Sequence, residues 1–229
     1  MQKKIVLAGA GVLIVLILSL SFGWYQGWFG GDRALWHQIR ERRDLVEIFK
    51  KAQVREKELA QNSEKAELYF SVGLDWKSIA ELGGGRPFFE RSLKVYEAGI
   101  EKFGQKNILF YLNAGKLAEH VDDLGKAEIY YKKAIAISPG DESGYIDLAE
   151  MFEYRLKKSK DEVVAVFHEG EKKMVNPTPL LVAEASYLRR VGDFGAALKI
   201  YKLLNQAFPT HQGFKEIIQE LEAKIKQPQ

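Results

Sequence analysis

The chain has no cysteine. Disulfides, thiolate catalysis and cysteine-ligated zinc are thereby excluded together, while the redox compartment stays open. A charge surplus is missing too. Of 34 basic residues, Lys3 and Lys4 lie in the first four positions, leaving 32 against 31 acidic ones. So balanced a charge does not suit a nucleic-acid binder, which needs a basic field to displace counterions. Histidine is scarce. His37, His120, His168 and His211 stand without a second histidine or paired carboxylate at a spacing such as HExxH, and none follows a nucleophile motif. Surface or packing roles are expected for all four. The glycine-rich GGGRP (83–87) lacks the lysine–serine ending of a phosphate loop and reads as a long exposed hairpin loop. An enzyme would need a constellation that is not here. No catalytic residue, cofactor or metal is expected.

What is present begins with an uncharged run, IVLAGAGVLIVLILSLSF, from Ile5 to Phe22. As a helix these residues span ~27 Å, near the hydrocarbon thickness of a bilayer. Trp24, Tyr25, Trp28 and Phe29 follow at once and suit the headgroup level. The expectation is a single transmembrane helix at about 5–27 within an anchor segment 1–31. The rival is a cleaved signal peptide, with Ser19 and Ser21 as small residues before the cut. Lys3 and Lys4 favour a cytoplasmic N-terminus and an extracytoplasmic body. Arg33, Arg40, Arg42 and Arg43 on the other side keep a cytoplasmic-facing body open as the alternative. Gly23, Gly27 and Gly31 have helix-packing spacing, but at the membrane edge they read as a linker.

The remainder is apolar enough for a folded core (46% over the whole chain) and repeats itself. Tyr96, Tyr131, Phe167 and Tyr201 are separated by 35, 36 and 34 residues. Four residues before each stand Ser92, Ala127, Val163 and Ala197; three after stand Gly99, Ala134, Gly170 and Leu204. Upstream lie Gly73, Gly115, Ala149 and Ala185, and Pro139, Pro177 and Pro209 close three of the units. Residues three and four apart share a helical face. Each unit therefore reads as a helix hairpin whose small residues admit close approach and whose aromatic fills the space beside them. VDDLG (121–125) and VGDFG (191–195) supply the turns.

A hairpin of roughly 34 residues with this pattern resembles the tetratricopeptide repeat (TPR) family. The match is closest over 108–141, through Tyr111, Gly115, Leu124, Ala127, Tyr131, Ala134 and Pro139, and is good over 178–210. The units 66–104 and 142–177 are looser: GGGRPFF (83–89) lengthens the turn of one, and RLKKSK (155–160) gives the other a turn without glycine. The resemblance implies an all-α, right-handed solenoid over 62–210. Segment 32–61 is expected to be one long amphipathic helix with Leu35, Ile39, Val46 and Phe49 on one stripe and Leu45, Ile48 and Ala52 beside it. It either packs on the first hairpin, which is favoured, or pairs with a partner. Segment 211–229 reads as a capping helix and tail.

The family's pattern further implies a groove lined by the first helices. Partner contacts are expected at Phe70, Leu74, Leu112, Lys116, Ile146, Glu150 and Arg189, with Leu109 and Ser186 nearby. Some members clamp a C-terminal carboxylate there, and Asn113 and Lys116 suit that part. Phe70, Leu74, Asp147 and Pro179 do not, so tail-clamping is not expected. The resulting expectation is a membrane-anchored interaction module, a scaffold or assembly factor for a protein or peptide. The alternative is a permanent structural subunit held through 32–61 or the transmembrane span. The oligomeric state stays open.

Overall fold

A computed structural model describes residues 32–226. The expected anchor, its span at 5–27 and its glycines lie outside them, as does the last tail. Among the described residues all regular structure is helical, and no helix is long and apolar enough to cross a membrane. The chain divides into two compact units, Met1–Ser92 and Leu93–Gln229, the division falling inside the expected 66–104 hairpin.

In the first unit, the expected single helix over 32–61 is two. Residues 32–39 are helical (α1), and α2 (Arg43–Gln61) starts after a break at 40–42. Arg42 is extended, at φ −100° and ψ 93°. Its guanidinium is held by Asp44 of the first turn at 2.7 Å, where an acid suits the helix dipole. The break lets α1 return along α2. The Trp36 ring tilts against Phe49 at 5.7 Å, and Gln53 Nε2 donates to Asp32 Oδ2 at 3.1 Å. Leu45, Phe49, Ala52, Glu56 and Leu59 form the buried stripe of α2, which packs on α3 (Ala66–Ile79). Phe49 meets Trp76 edge-on at 5.3 Å and Phe88 at 6.4 Å. One acid lies among these rings. Glu56 is buried and accepts from Trp76 Nε1 (2.9 Å) and from Arg91 Nε (3.0 Å) and Nη2 (2.9 Å).

The expected exposed loop at 83–89 is also corrected. A wide turn at Ala80–Gly84 closes α3, and α4 (Arg86–Phe103) begins at once with Pro87 in its first turn, where a missing N–H does no harm. Phe88 is fully buried. Of the residues that lengthen the repeat, Gly83 to Gly85 stay in the turn, whereas 86–89 open α4 and add Phe88 to the core.

The second unit holds the rest of α4 and seven helices: α5 (Leu109–His120), α6 (Leu124–Ile137), α7 (Ser143–Tyr154), α8 (Lys160–Glu171), α9 (Thr178–Arg190), α10 (Phe194–Ala207) and α11 (Gln212–Lys226). Consecutive helices from α5 onward pack on one another. Alternate ones touch as well, α5 on α7 and α7 on α9, which is solenoid-like packing. The turns within the hairpins share a device. Asp122, Lys157 and Gly192 take left-handed φ of 61°, 51° and 83°, and the residue one or two places on caps the next helix. Asp123 accepts from Lys126 N and Asp193 from Ala196 N, while Ser159 and Glu162 form a reciprocal capping box.

Small residues set the helix spacing. Ala127, Tyr131 and Ala134 of α6 are all buried, and the Tyr131 ring occupies the space that a side chain on Gly115 would need. A methyl there would sit 2.5 Å from the ring. In the same way the Phe110 ring fills the place of a side chain on Gly99, and Tyr145 with Leu180 that of one on Gly170. Phe214 and Leu221 seat α11 on α10, with Phe214 6.1 Å from the Tyr201 ring.

Removing the ring in Tyr131→Ala is expected to cost on the order of 3–5 kcal/mol. Gly115→Ala, which overfills the same site, should cost roughly 1–3 kcal/mol. Both are read from denaturant midpoints, and wild-type midpoints for the two variants would refute the packing. Lys157→Gly removes a left-handed β-carbon from an exposed position and should stabilise by about 1 kcal/mol.

Candidate functional site

On α5, Leu109, Leu112, Asn113 and Lys116 stand at helical spacings that share a face. Glu142, Ser143, Ile146 and Asp147 come from the start of α7. Together they line an open cleft of about 380 Å³. Its floor is apolar: Leu112 is buried, Ile146 half-buried, and Leu109 exposed at the rim. Asn113 gives its amide to the Leu109 carbonyl at 2.7 Å, so its donor is engaged within its own helix.

The charge in the cleft is arranged unevenly. Asp147 is 9% exposed, and Lys116 Nζ reaches its Oδ1 at 3.1 Å. Its Oδ2 is buried and accepts no hydrogen bond. Burial raises the Asp147 carboxyl above its ordinary value; the ammonium of Lys116 opposes this, while Glu150 and Glu119 add to it. The desolvation penalty wins because Lys116 is itself 54% exposed and its field is weakened by water. Glu119 is fixed from two sides. Tyr131 Oη donates to its carboxylate at 2.6 Å, and Arg155 Nη1 to its carbonyl at 2.8 Å. Burial, then Glu119, push the Tyr131 hydroxyl far up, so it remains a donor.

Of the expected partner-contact residues, the cleft gathers Leu112, Lys116 and Ile146, together with Leu109. Glu150 is exposed one helical turn beyond Asp147 on α7. Arg189 instead pairs with Glu220 of α11 at 3.6 Å, and Ser186 Oγ lies 3.1 Å from Tyr201 Oη. Phe70 and Leu74 belong to the first unit, where Phe70 is half-buried and Leu74 is 49% exposed. Sequence reasoning treats Lys116 as a free groove cation, whereas here it is the partner of Asp147. A usable signal exists. Asn113 and Lys116 recur 34 residues on as Asp147 and Glu150, so stacking the units sets Lys116 one turn from Asp147.

Away from the cleft, His168, Glu171 and Glu184 bring three ligand-type atoms within 4.8 Å of one another. Burial, then the neighbouring Glu171 carboxylate, hold Glu184 well above the usual carboxylate range. No known protein family and no curated protein matches this sequence.

A carboxyl whose pKa rises on folding favours the folded state at low pH, and that contribution is lost as pH rises through the folded value. Asp147→Asn is therefore expected to stabilise the protein at neutral pH. The gain should shrink as pH falls from neutrality through the raised Asp147 value towards its ordinary 3.8. Denaturant titrations of both proteins across that window check this. A variant less stable at neutral pH would mean that the Lys116 pair outweighs burial.

Proposed function

We propose that the chain is an interaction module of the TPR type, fixed to a membrane by its N-terminal segment. Its cleft between α5 and α7 would hold an extended or helical segment of a protein partner, as a scaffold or assembly factor does. The observation that carries this reading is Asp147: a carboxylate kept buried against its solvation energy, lining an open cleft, with one oxygen accepting nothing. Buried polar atoms without partners are uncommon in native proteins and call for a reason. A lysine or arginine from a partner would complete this one, while the apolar floor of Leu112 and Ile146 takes a neighbouring apolar side chain. Glu142 and Glu150 beside it favour the same sign of partner charge and disfavour an acidic tail.

The 34–36-residue spacing, the shared left-handed turns and the contacts between alternate helices support the TPR reading and, with it, a right-handed solenoid. Membrane anchoring rests on the uncharged run Ile5–Phe22 and the aromatics behind it; an extracytoplasmic body rests on Lys3 and Lys4. The structural-subunit alternative has less support through 32–61, because Leu45, Phe49, Ala52 and Leu59 are buried within the first unit.

A photo-crosslinking residue at Asn113 of the full chain, expressed in its own cells, should trap a discrete partner, and Asp147→Asn should reduce the yield severalfold. The same probe at Lys132, which is exposed on α6 and paired with Glu128, should trap none of it. Crosslinks from 132 alone would move the interface off the cleft. Carbonate extraction and mass spectrometry of the mature N-terminus examine the anchor, and a chain starting at Phe22 or beyond would remove it.

A further inference from the structure

His168 and Glu171 are three residues apart on α8 and therefore share a face. Packing of α8 on α9 brings Glu184 to the same point, with its Oε1 3.0 Å from His168 Nε2. The Glu184 side chain is 5% exposed. Glu171 Oε1 is buried and accepts no hydrogen bond. Among the described residues neither carboxylate meets a lysine or arginine. His168, paired with Glu184, is thus the one basic side chain of the cluster, and half of its surface is open to solvent.

From this geometry we propose a binding site for a divalent first-row transition ion, with zinc as the representative, formed by His168, Glu171 and Glu184. Two such ligands, each about 2 Å from a shared ion, stand no more than ~4 Å apart. His168 Nε2 and Glu184 Oε1 already stand 3.0 Å apart, and all three ligand atoms lie within 4.8 Å of one another, so a small adjustment of the side chains closes the site. An imidazole nitrogen with two carboxylate oxygens suits zinc and its neighbours; calcium and magnesium prefer an all-oxygen shell. The ion would take up the unpaired Glu171 oxygen and neutralise the two acids. Because its ligands come from α8 and α9, it would join the 142–177 hairpin to the next one. Open coordination positions on the His168 side would be filled by water.

The experiment uses the full chain in detergent, carrying a purification tag free of histidine and stripped with a chelator. Isothermal titration with zinc should show one saturable equivalent with Kd on the order of micromolar or tighter, and cobalt should give the visible absorption of a low-coordinate site. His168→Ala and Glu184→Gln should each weaken binding at least tenfold, while His211→Ala leaves it unchanged. Circular dichroism establishes that the isosteric Glu184→Gln folds; if it does not, Glu171→Gln takes its place. Absence of saturable binding, or binding that survives both His168→Ala and Glu171→Gln, overturns the site and leaves the two carboxylates sharing a proton.

Discussion

In the second unit the spacing from α4 to α9 depends on one steric fact: a ring or branched side chain lies where a small residue has left room. Tyr131 against Gly115 is the clearest case, and Phe110 against Gly99 and Tyr145 with Leu180 against Gly170 follow the same rule. Interiors pack at crystal-like density, so the distance between helices is fixed by which member of each pair is small. The ring of Tyr131 also carries consequences beyond packing. Its hydroxyl donates to Glu119, whose charge acts on Asp147. Core packing thus reaches the cleft through one side chain, although burial, Lys116 and Glu150 weigh more on Asp147 than Glu119 does.

Two buried acids show how differently the fold treats charge. Glu56 receives three donors, and the Arg91 guanidinium both pairs with it and lies 5.7 Å from the Trp76 ring centroid. That arrangement is complete, and breaking such a pair strands a buried charge, with losses of about 3–5 kcal/mol where it has been measured. Asp147 receives one half-exposed lysine and leaves an oxygen without a donor. Complete pairing serves stability. Incomplete pairing beside an open cleft serves stability poorly, which is why Asp147 and not Glu56 directs attention to binding.

Much of this was legible in the sequence because it is local. Helical periodicity, the capping aspartates of VDDLG and VGDFG, and the burial of Tyr131 with Ala127 and Ala134 all follow from residues within one hairpin. The break at 40–42 left no trace in the apolar pattern: Leu35, Ile39, Val46 and Phe49 share one stripe on a straight helix, and it is the extended Arg42 that ends that helix and lets α1 return along α2. Other features depend on how separate helices stand in register, which periodicity does not specify. Lys116 meets Asp147, Arg189 meets Glu220, and Glu184 meets His168 across gaps of 31, 31 and 16 residues. The expectation of a long exposed loop at GGGRP (83–87) failed beyond Gly85 for a related reason. Composition reads GGG as a turn, but Phe88 has a core waiting for it beside Phe49 and Trp76.

The hairpin that resembles the repeat least contributes side chains both to the cleft and to the His168 cluster. Segment 142–177 lacks glycine in its turn, holds Lys157 in a left-handed conformation and replaces the capping aspartate with the Ser159–Glu162 box. Its first helix provides Glu142, Ile146 and Asp147 to the cleft, and its second provides His168 and Glu171. Local departures from a folding rule persist where something other than stability maintains them. Here α7 touches α5 on one side and α9 on the other, so the cleft and the His168 cluster lie on opposite elements of one hairpin. The cleft and the His168 cluster thus share the contact between α7 and α8.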